Sequence, residues 1–148
     1  MRLVFETHTP EETIGLGQRI GALLHPGDVI AYRGDLGAGK TTFTRGLALG
    51  LGLPDCVTSP TFALVHVYGT PPVQLCHFDL YRISGEEELE TTGFYDYLPE
   101  ESIFAVEWSE NAGAALPGST LTLTLERTGD TDRRIILEGD ERFADLGA

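Results

Sequence analysis

The chain has 148 residues and a formal charge of −13, from 10 basic and 23 acidic side chains. This length is common for one domain with its own core, and we expect residues 1–148 to form a single domain. Binding to a phosphate backbone needs clustered Lys and Arg, so we do not expect this chain alone to bind nucleic acid tightly. The start of the chain lacks the apolar core of a signal peptide, and no apolar run reaches the roughly 18 residues of a membrane span. We therefore predict a cytoplasmic protein.

A strand and a helix are predicted at the start of the chain. Residues 2–7 alternate loosely between apolar and polar side chains, as a strand does. Thr9 is placed to cap a helix with Pro10 at its first position and Glu12 three residues after the cap. Residues 25–27, His-Pro-Gly, are predicted to end this helix. Its apolar face is predicted to consist of Leu16, Ile20, Leu23 and Leu24.

A second strand and a second helix follow. Residues 28–33, "DVIAYR", have the continuous apolar centre of a parallel strand that is covered on both faces. The next helix is predicted to begin at about Gly39. Gly46 and Gly50 share one face of it, which predicts close packing of this helix onto the sheet. A separate apolar stripe is formed by Phe43, Leu47 and Leu51.

The second half of the chain is dominated by strands. Strands are predicted at residues 61–69 and 73–81, and a further buried strand at residues 102–108. A short helix is predicted at residues 84–90. Residues 119–138 alternate at period two on both sides of "TGDTD", which indicates an antiparallel hairpin. The order of elements predicts an α/β fold: a mostly parallel sheet flanked by helices, with an antiparallel C-terminal hairpin.

A phosphate-binding motif lies between the second strand and the second helix. Residues 34–41, "GDLGAGKT", match G-x-x-x-x-G-K-[ST] at every fixed position. Glycines allow successive N–H groups to face an anion, and the following helix adds the positive end of its dipole. Lys40, the lone lysine of the chain, supplies a compact charge that can reach between β- and γ-phosphates. The Thr41 hydroxyl is placed to ligate Mg²⁺. With this motif the predicted α/β fold becomes a P-loop NTPase-like one.

Two predicted strands end in acids, "LCHFD" in Asp79 and "IFAVE" in Glu107. In open α/β sheets the ligand lies outside the carboxyl ends of the strands. One carboxylate could hold the Mg²⁺ shell and the other could orient the attacking water. Strand ends are often polar for no functional reason, so the alternative of two ordinary surface acids stays open.

The nucleotide is indicated by elimination. Guanine-specific P-loop proteins use an Asn-Lys-x-Asp reader, and Lys40 already occupies the phosphate motif. Asp79 also lacks a glycine three residues later, which a GTPase switch requires. Adenine is therefore favoured.

Read together, four motifs resemble those of one bacterial family. They are the phosphate motif, "TSPTF" at 58–62, "HFDLYR" at 77–82 and "VEW" at 106–108. The chain is similar to the TsaE (YjeE) ATPases of tRNA threonylcarbamoyladenosine biosynthesis over residues from about 9 to 110. Ser109 departs from the proline that commonly follows Glu-Trp in the family, which affects the local turn.

The resemblance implies an Mg²⁺-dependent ATPase that works with the TsaB and TsaD proteins and contacts tRNA only through them. It implies catalytic roles for Lys40, Asp79 and Glu107, and metal binding by Thr41, Asp79 and Glu107. Thr61 would be a switch residue facing the γ-phosphate, although a hydroxyl at a strand start is an equally good reading. The residues that would cradle the phosphates are Gly37, Ala38, Gly39, Lys40, Thr41 and Thr42.

Two other functions remain open at this stage. One is a nucleotide-gated binding module that acts by assembly and hydrolyses little ATP by itself. The other is a small-molecule P-loop kinase, which would need several arginines in a lid; between residues 46 and 126 the chain offers Arg82 alone.

Overall fold

The computed structural model describes residues 1–34, 38–53, 65–70, 73–81, 83, 86–109, 116–117 and 119–147. Within them, two α-helices, α1 and α2, span Pro10–Gly21 and Lys40–Gly50. The strands β1 to β7 are Arg2–Thr7, Val29–Gly34, Val65–Thr70, Val73–Asp79, Ser102–Glu107, Leu121–Arg127 and Arg133–Glu138. Short 3₁₀ segments span Glu86–Thr92, Phe94–Asp96, Pro99–Glu101 and Glu141–Gly147.

The strands form one sheet in the order β1-β7-β6-β2-β5-β4-β3. The central strands β6, β2, β5 and β4 pair in parallel. The pairs β1–β7, β6–β7 and β3–β4 are antiparallel. This arrangement confirms the predicted α/β class, including the C-terminal hairpin of β6 and β7. The part of the predicted strand at 61–64 lies outside the described residues.

Helix α1 begins as the sequence predicts but ends earlier. The Thr9 side chain accepts a hydrogen bond from the Glu12 backbone N–H at 3.1 Å, which caps the first turn. The helix ends at Gly21, not at residues 25–27. The backbone N–H groups of Leu23 and Leu24 donate i→i−3 hydrogen bonds in a tighter turn. Leu24 therefore lies beyond the end of the helix but is still buried.

The glycines of α2 face α1, and the prediction that they pack on the sheet is wrong. A Cβ placed on Gly46 would overlap the carbonyl oxygen of Ile14, and one on Gly50 would lie 2.9 Å from the backbone nitrogen of Ala22. From the other side, a Cβ on Gly17 would lie 2.6 Å from the carbonyl oxygen of Phe43. Glycines on both helices therefore let the two backbones approach closely.

The core lies on both faces of the sheet. On one face, α1 and α2 cover a cluster that includes Ile30, Phe43 and Leu47, all fully buried. On the other face, the 3₁₀ region around Phe94 packs against Phe78 at a ring-centroid distance of 5.2 Å. No helix in the described part of the chain has both the length and the apolarity to cross a bilayer.

Candidate functional site

The candidate site begins where β2 passes into α2. Gly34 ends β2 with φ 128°, and a Cβ there would overlap the carbonyl oxygen of Leu125 on β6. Gly39, the residue before α2, has φ 103°. Both positions require glycine for backbone reasons, as expected for a sharp turn from a strand into a helix. Residues 35–37 of the motif lie outside the described residues.

Lys40 is the first residue of α2 and borders an open cavity of about 340 Å³. Among the residues that the structure describes, Tyr32, Arg33, Gly34 and Trp108 also line this cavity. The Lys40 ammonium lies 6.0 Å from the centre of the Trp108 ring, at the outer limit of a cation–π contact. The lysine of the motif therefore faces a pocket at the N-terminal end of a helix, where an anion is favoured.

Asp79 and Glu107 end two adjacent parallel strands at the same level. They lie directly opposite each other in the pairing of β4 with β5, so their side chains leave the same face of the sheet. Tyr32 of β2 is in turn the register partner of Glu107. Tyr32 packs edge-to-face on Phe43 of α2, which identifies that face as the one beneath α2. The two predicted acids thus lie together on the face that carries Lys40.

Burial raises the pKa of the Asp79 carboxyl above its ordinary value, and the nearby Glu107 charge raises it further. The Tyr81 backbone N–H, which donates to Asp79 Oδ1 at 3.0 Å, opposes this shift. The positive charge of Lys40 opposes it as well. Two neighbouring carboxylates, one of which is disfavoured as an anion, are a setting that a divalent cation would stabilise.

The donor set fits Mg²⁺ in chemical type. Asp79, Glu107 and the partly buried Thr41 at the second position of α2 all offer hard oxygen atoms. Within the described ranges, no group of three or more His, Cys, Asp and Glu side chains could hold a metal by itself. Mg²⁺ that is held by one or two carboxylates keeps waters and substrate phosphates as its other ligands.

A buried polar layer supports these residues, and the sequence analysis missed it. Thr44 donates to the Lys40 carbonyl at 2.8 Å, and its Oγ1 lies 2.7 Å from the Tyr32 hydroxyl. Since the single Thr44 proton goes to Lys40, the Tyr32 hydroxyl donates to Thr44. His77 Nε2 lies 2.6 Å from Glu107 Oε2. One available signal was that His77 is two residues before Asp79 and so shares its face.

Trp108 lies at the rim of the cavity in an unusual backbone conformation. Its φ is 58°, which is uncommon for a side chain other than glycine. Its ring is 41% exposed and lies 5.0 Å from that of Tyr81, which is 62% exposed. Ser109, where the family commonly has proline, is buried. The rim therefore carries Trp108 on a strained turn directly after Glu107, and the exposed ring of Tyr81 lies beside it.

The C-terminal hairpin also reaches the site. Arg133 of β7 donates from Nε to the carbonyl oxygen of Ala38 at 3.1 Å and from Nη1 to the backbone carbonyl oxygen of Asp132, in the hairpin turn, at 2.8 Å. His8 lies next to that turn, with Nδ1 2.9 Å from Asp132 Oδ1. The hydrogen bond with Asp132 is the main cause that raises the pKa of His8. No local motif signals the contact of Arg133 with Ala38 or that of His8 with Asp132, because these partners are far apart in the chain.

The predicted site residues are therefore found in two groups. Ala38, Gly39, Lys40, Thr41 and Thr42 follow one another into the first turn of α2. Asp79 and Glu107 form the second group, at the carboxyl edge of the adjoining strands. Gly37 and Thr61 lie outside the described residues, and their roles stay predictions.

A strand, a glycine-containing turn and a helix at the carboxyl edge of a parallel sheet define a P-loop NTPase-like α/β protein. Comparisons with known proteins give the particular family. The model of the family described as threonylcarbamoyl adenosine biosynthesis protein TsaE matches residues 7–136. The chain belongs to the TsaE family.

Individual relatives agree with this assignment. The tRNA threonylcarbamoyladenosine biosynthesis protein TsaE of Bacillus subtilis is 40% identical over 134 residues, 90% of this chain and 84% of the relative. The protein of the same name from Streptomyces coelicolor is 41% identical over 139 residues, 87% of this chain and 92% of the relative. A crystal structure of Bacillus subtilis YdiB superposes with a TM-score of 0.73 at 35% identity, covering 99% of this chain and 91% of that one.

Proposed function

We propose that this protein binds ATP with Mg²⁺ at the carboxyl edge of its sheet and hydrolyses the ATP during tRNA threonylcarbamoyladenosine biosynthesis. The observation that carries the proposal is the placement of Lys40 on the same face as the register-matched acids Asp79 and Glu107. The process comes from the names of the family and of its relatives.

Each residue has a distinct task in this proposal. Backbone N–H groups of 37–42 and the Lys40 ammonium hold the phosphates, and the Thr41 hydroxyl and Asp79 carboxylate hold Mg²⁺. Mg²⁺, when bound, neutralises negative charge on the transferred phosphoryl group. Glu107 orients the attacking water and accepts its proton. Thr61 responds to the γ-phosphate.

The proposed partners are the TsaB and TsaD proteins, with tRNA bound only through them. A formal charge of −13 opposes direct binding of a polyanion. The ATPase would then couple a nucleotide-dependent loop to the cycle of the modification complex. The proposed location is the cytoplasm.

A nucleotide-gated binding module is a second candidate. The exposed ring pair of Tyr81 and Trp108 stands directly beside the site, and exposed aromatic side chains are common in protein interfaces. In that case ATP binding alone would switch assembly. Turnover measured with the partner proteins separates the two candidates.

Nucleotide binding is tested by calorimetric titration of ATP and Mg²⁺ into the wild type and Lys40→Ala. Loss of a charged hydrogen-bond donor, worth about 1.5–3 kcal/mol, should weaken binding about 10- to 150-fold. Arg2→Ala removes the same charge at an exposed position on an outer strand and should bind like the wild type. Equal affinities for Lys40→Ala and Arg2→Ala would refute the phosphate site.

Hydrolysis is tested with the partner proteins present. Glu107→Gln and Asp79→Asn should each lower turnover by on the order of 100-fold, because each retains the shape and removes the charge. Glu138→Gln removes an acid from the exposed end of β7 and serves as the matched control. ATP binding without turnover by the wild type would favour the binding module.

A further inference from the structure

His77 is buried completely on β4 and contacts Glu107 on β5. Its Nε2 lies 2.6 Å from Glu107 Oε2, while the Glu107 side chain keeps 13% of its surface exposed. Among the described residues, His77 Nδ1 has no hydrogen-bond partner. The ring is also held from β2, where Tyr32 meets it edge-to-face at 6.0 Å. Within the described ranges the imidazole therefore has one polar contact, which it makes with the carboxylate at the site.

The direction of this hydrogen bond follows from its partners. A carboxylate accepts hydrogen bonds and offers no proton of its own when it is ionised, so His77 Nε2 must carry the hydrogen. A hydrogen on the unpartnered Nδ1 would be a buried donor without an acceptor, which is costly. The geometry thus favours the tautomer with Nε2 protonated and Nδ1 bare.

We propose that His77 is a positioning residue that fixes the carboxylate of Glu107 for the hydrolysis of ATP. This rests on the proposed function. His77 donates a hydrogen bond to one carboxylate oxygen, Oε2, from beneath the site. Because Oε2 is held in place, the position of the other oxygen, Oε1, is fixed as well. A general base must hold the reacting water within hydrogen-bond reach, and a freely rotating carboxylate holds it less often. In this role His77 acts through Glu107 and does not itself contact the nucleotide or the reacting water.

The tautomer provides a test that needs no turnover. Nitrogen-15 NMR of the isolated, nucleotide-free protein should show His77 with a protonated Nε2 and an unprotonated Nδ1. Replacing Glu107 with Gln should shift the Nε2 signal, since a neutral amide oxygen is a weaker acceptor. A proton on Nδ1 instead of Nε2, or a signal that Glu107→Gln leaves unchanged, would overturn the hydrogen bond and the proposal.

Kinetics with the partner proteins separate positioning from a structural role. His77→Leu fills similar space without a donor and should lower kcat about 10- to 100-fold while KM for ATP changes less than about twofold. His77→Gln restores an N–H donor and should recover most of the loss. His66→Gln changes a histidine on β3 whose Nδ1 lies 3.2 Å from the Tyr68 hydroxyl, and should behave as the wild type.

Three results would contradict the proposal. An unchanged kcat in His77→Leu would overturn it. An equal loss in His77→Leu and His77→Gln, with a raised KM or a lowered melting temperature in both, would assign His77 a purely structural role. A wild-type complex without any turnover would overturn the proposed function and the positioning role together, which distinguishes it from the first two results.

Discussion

The close contact of α1 and α2 predicts opposite effects for two alanine substitutions in one helix. A Cβ on Gly17 would lie 2.6 Å from the Phe43 carbonyl oxygen and 3.0 Å from the Gly46 Cα. A Cβ on Gly15, two residues earlier, would meet no atom within 4 Å. Gly17→Ala should therefore destabilise the protein, and Gly15→Ala should stabilise it.

The magnitude follows from two terms. Replacing glycine with alanine inside a helix contributes about 0.5–1 kcal/mol of stability at both positions. At Gly17 the new methyl group meets backbone atoms that cannot rotate away, and such overpacking costs roughly 1–3 kcal/mol. Because the propensity term is common to both, the difference between Gly15→Ala and Gly17→Ala isolates the packing term. A middle value of about 2 kcal/mol corresponds to about 4–8 °C in Tm for a chain of this size.

Thermal and urea unfolding, followed by circular dichroism, measure this difference. The clash also predicts a functional effect, since Phe43 lies in the same first turns of α2 as Lys40. Separation of the helices would displace Lys40, so Gly17→Ala should bind ATP more weakly than Gly15→Ala. If Gly17→Ala is as stable as Gly15→Ala, the close approach of the two backbones is not what these glycines provide.

Two further predictions concern the polar groups around the site. Asp79→Asn should raise the melting temperature of the nucleotide-free protein at pH 7, because burial raises the pKa of Asp79 and its charged form then costs folding free energy above that pKa. This gain in melting temperature should shrink as the pH falls from the pKa of Asp79 in the folded protein towards the ordinary value of 3.8. A gain that stays constant with pH would contradict this prediction. Tyr32→Phe should cost about 1 kcal/mol in urea unfolding, whereas Thr44→Val leaves the buried Tyr32 hydroxyl without an acceptor and should cost about 1–3 kcal/mol. The double variant should then be more stable than Thr44→Val alone, because it no longer buries an unpaired hydroxyl, and strictly additive losses would refute the shared hydrogen bond.

Most of the secondary structure could be predicted because its signals are local. Alternation at period two gave the β6–β7 hairpin, and the capping pattern at Thr9 gave the start of α1. The predicted end of α1 was wrong by several residues. Leu23 and Leu24 continue the apolar pattern of the helix, and periodicity cannot distinguish a last helical turn from the i→i−3 turn that follows Gly21.

The packing partner of a face could not be predicted. The spacing of Gly46 and Gly50 correctly shows that they share one face of α2, but it does not show what that face meets. The structure places α1 there, with Gly17 opposite Gly46. Spacing within an element defines a face, whereas its neighbour depends on the path of the whole chain.

The candidate site illustrates the same limit. The places of Asp79 and Glu107 at the ends of two strands could be predicted, because each follows an apolar run. For His77 the sequence indicates only a face shared with Asp79, since a histidine within "LCHFD" is as compatible with a filled core as with a contact to an acid. Its partner Glu107 is 30 residues away and is reached only because β4 pairs with β5. Arg133 meets Ala38 across 95 residues for the same kind of reason.

Strand register is what joins these residues into one site. Tyr32, Glu107 and Asp79 occupy the same level of β2, β5 and β4, so all three side chains leave the sheet on the face beneath α2. A shift of one residue in any of these pairings would turn its side chain to the opposite face, where the 3₁₀ region packs. The buried apolar residues between these polar groups hold the register, because they too alternate between the two faces. The apolar core and the acidic site are therefore specified by the same alternation, and a substitution that disturbs one is expected to disturb the other.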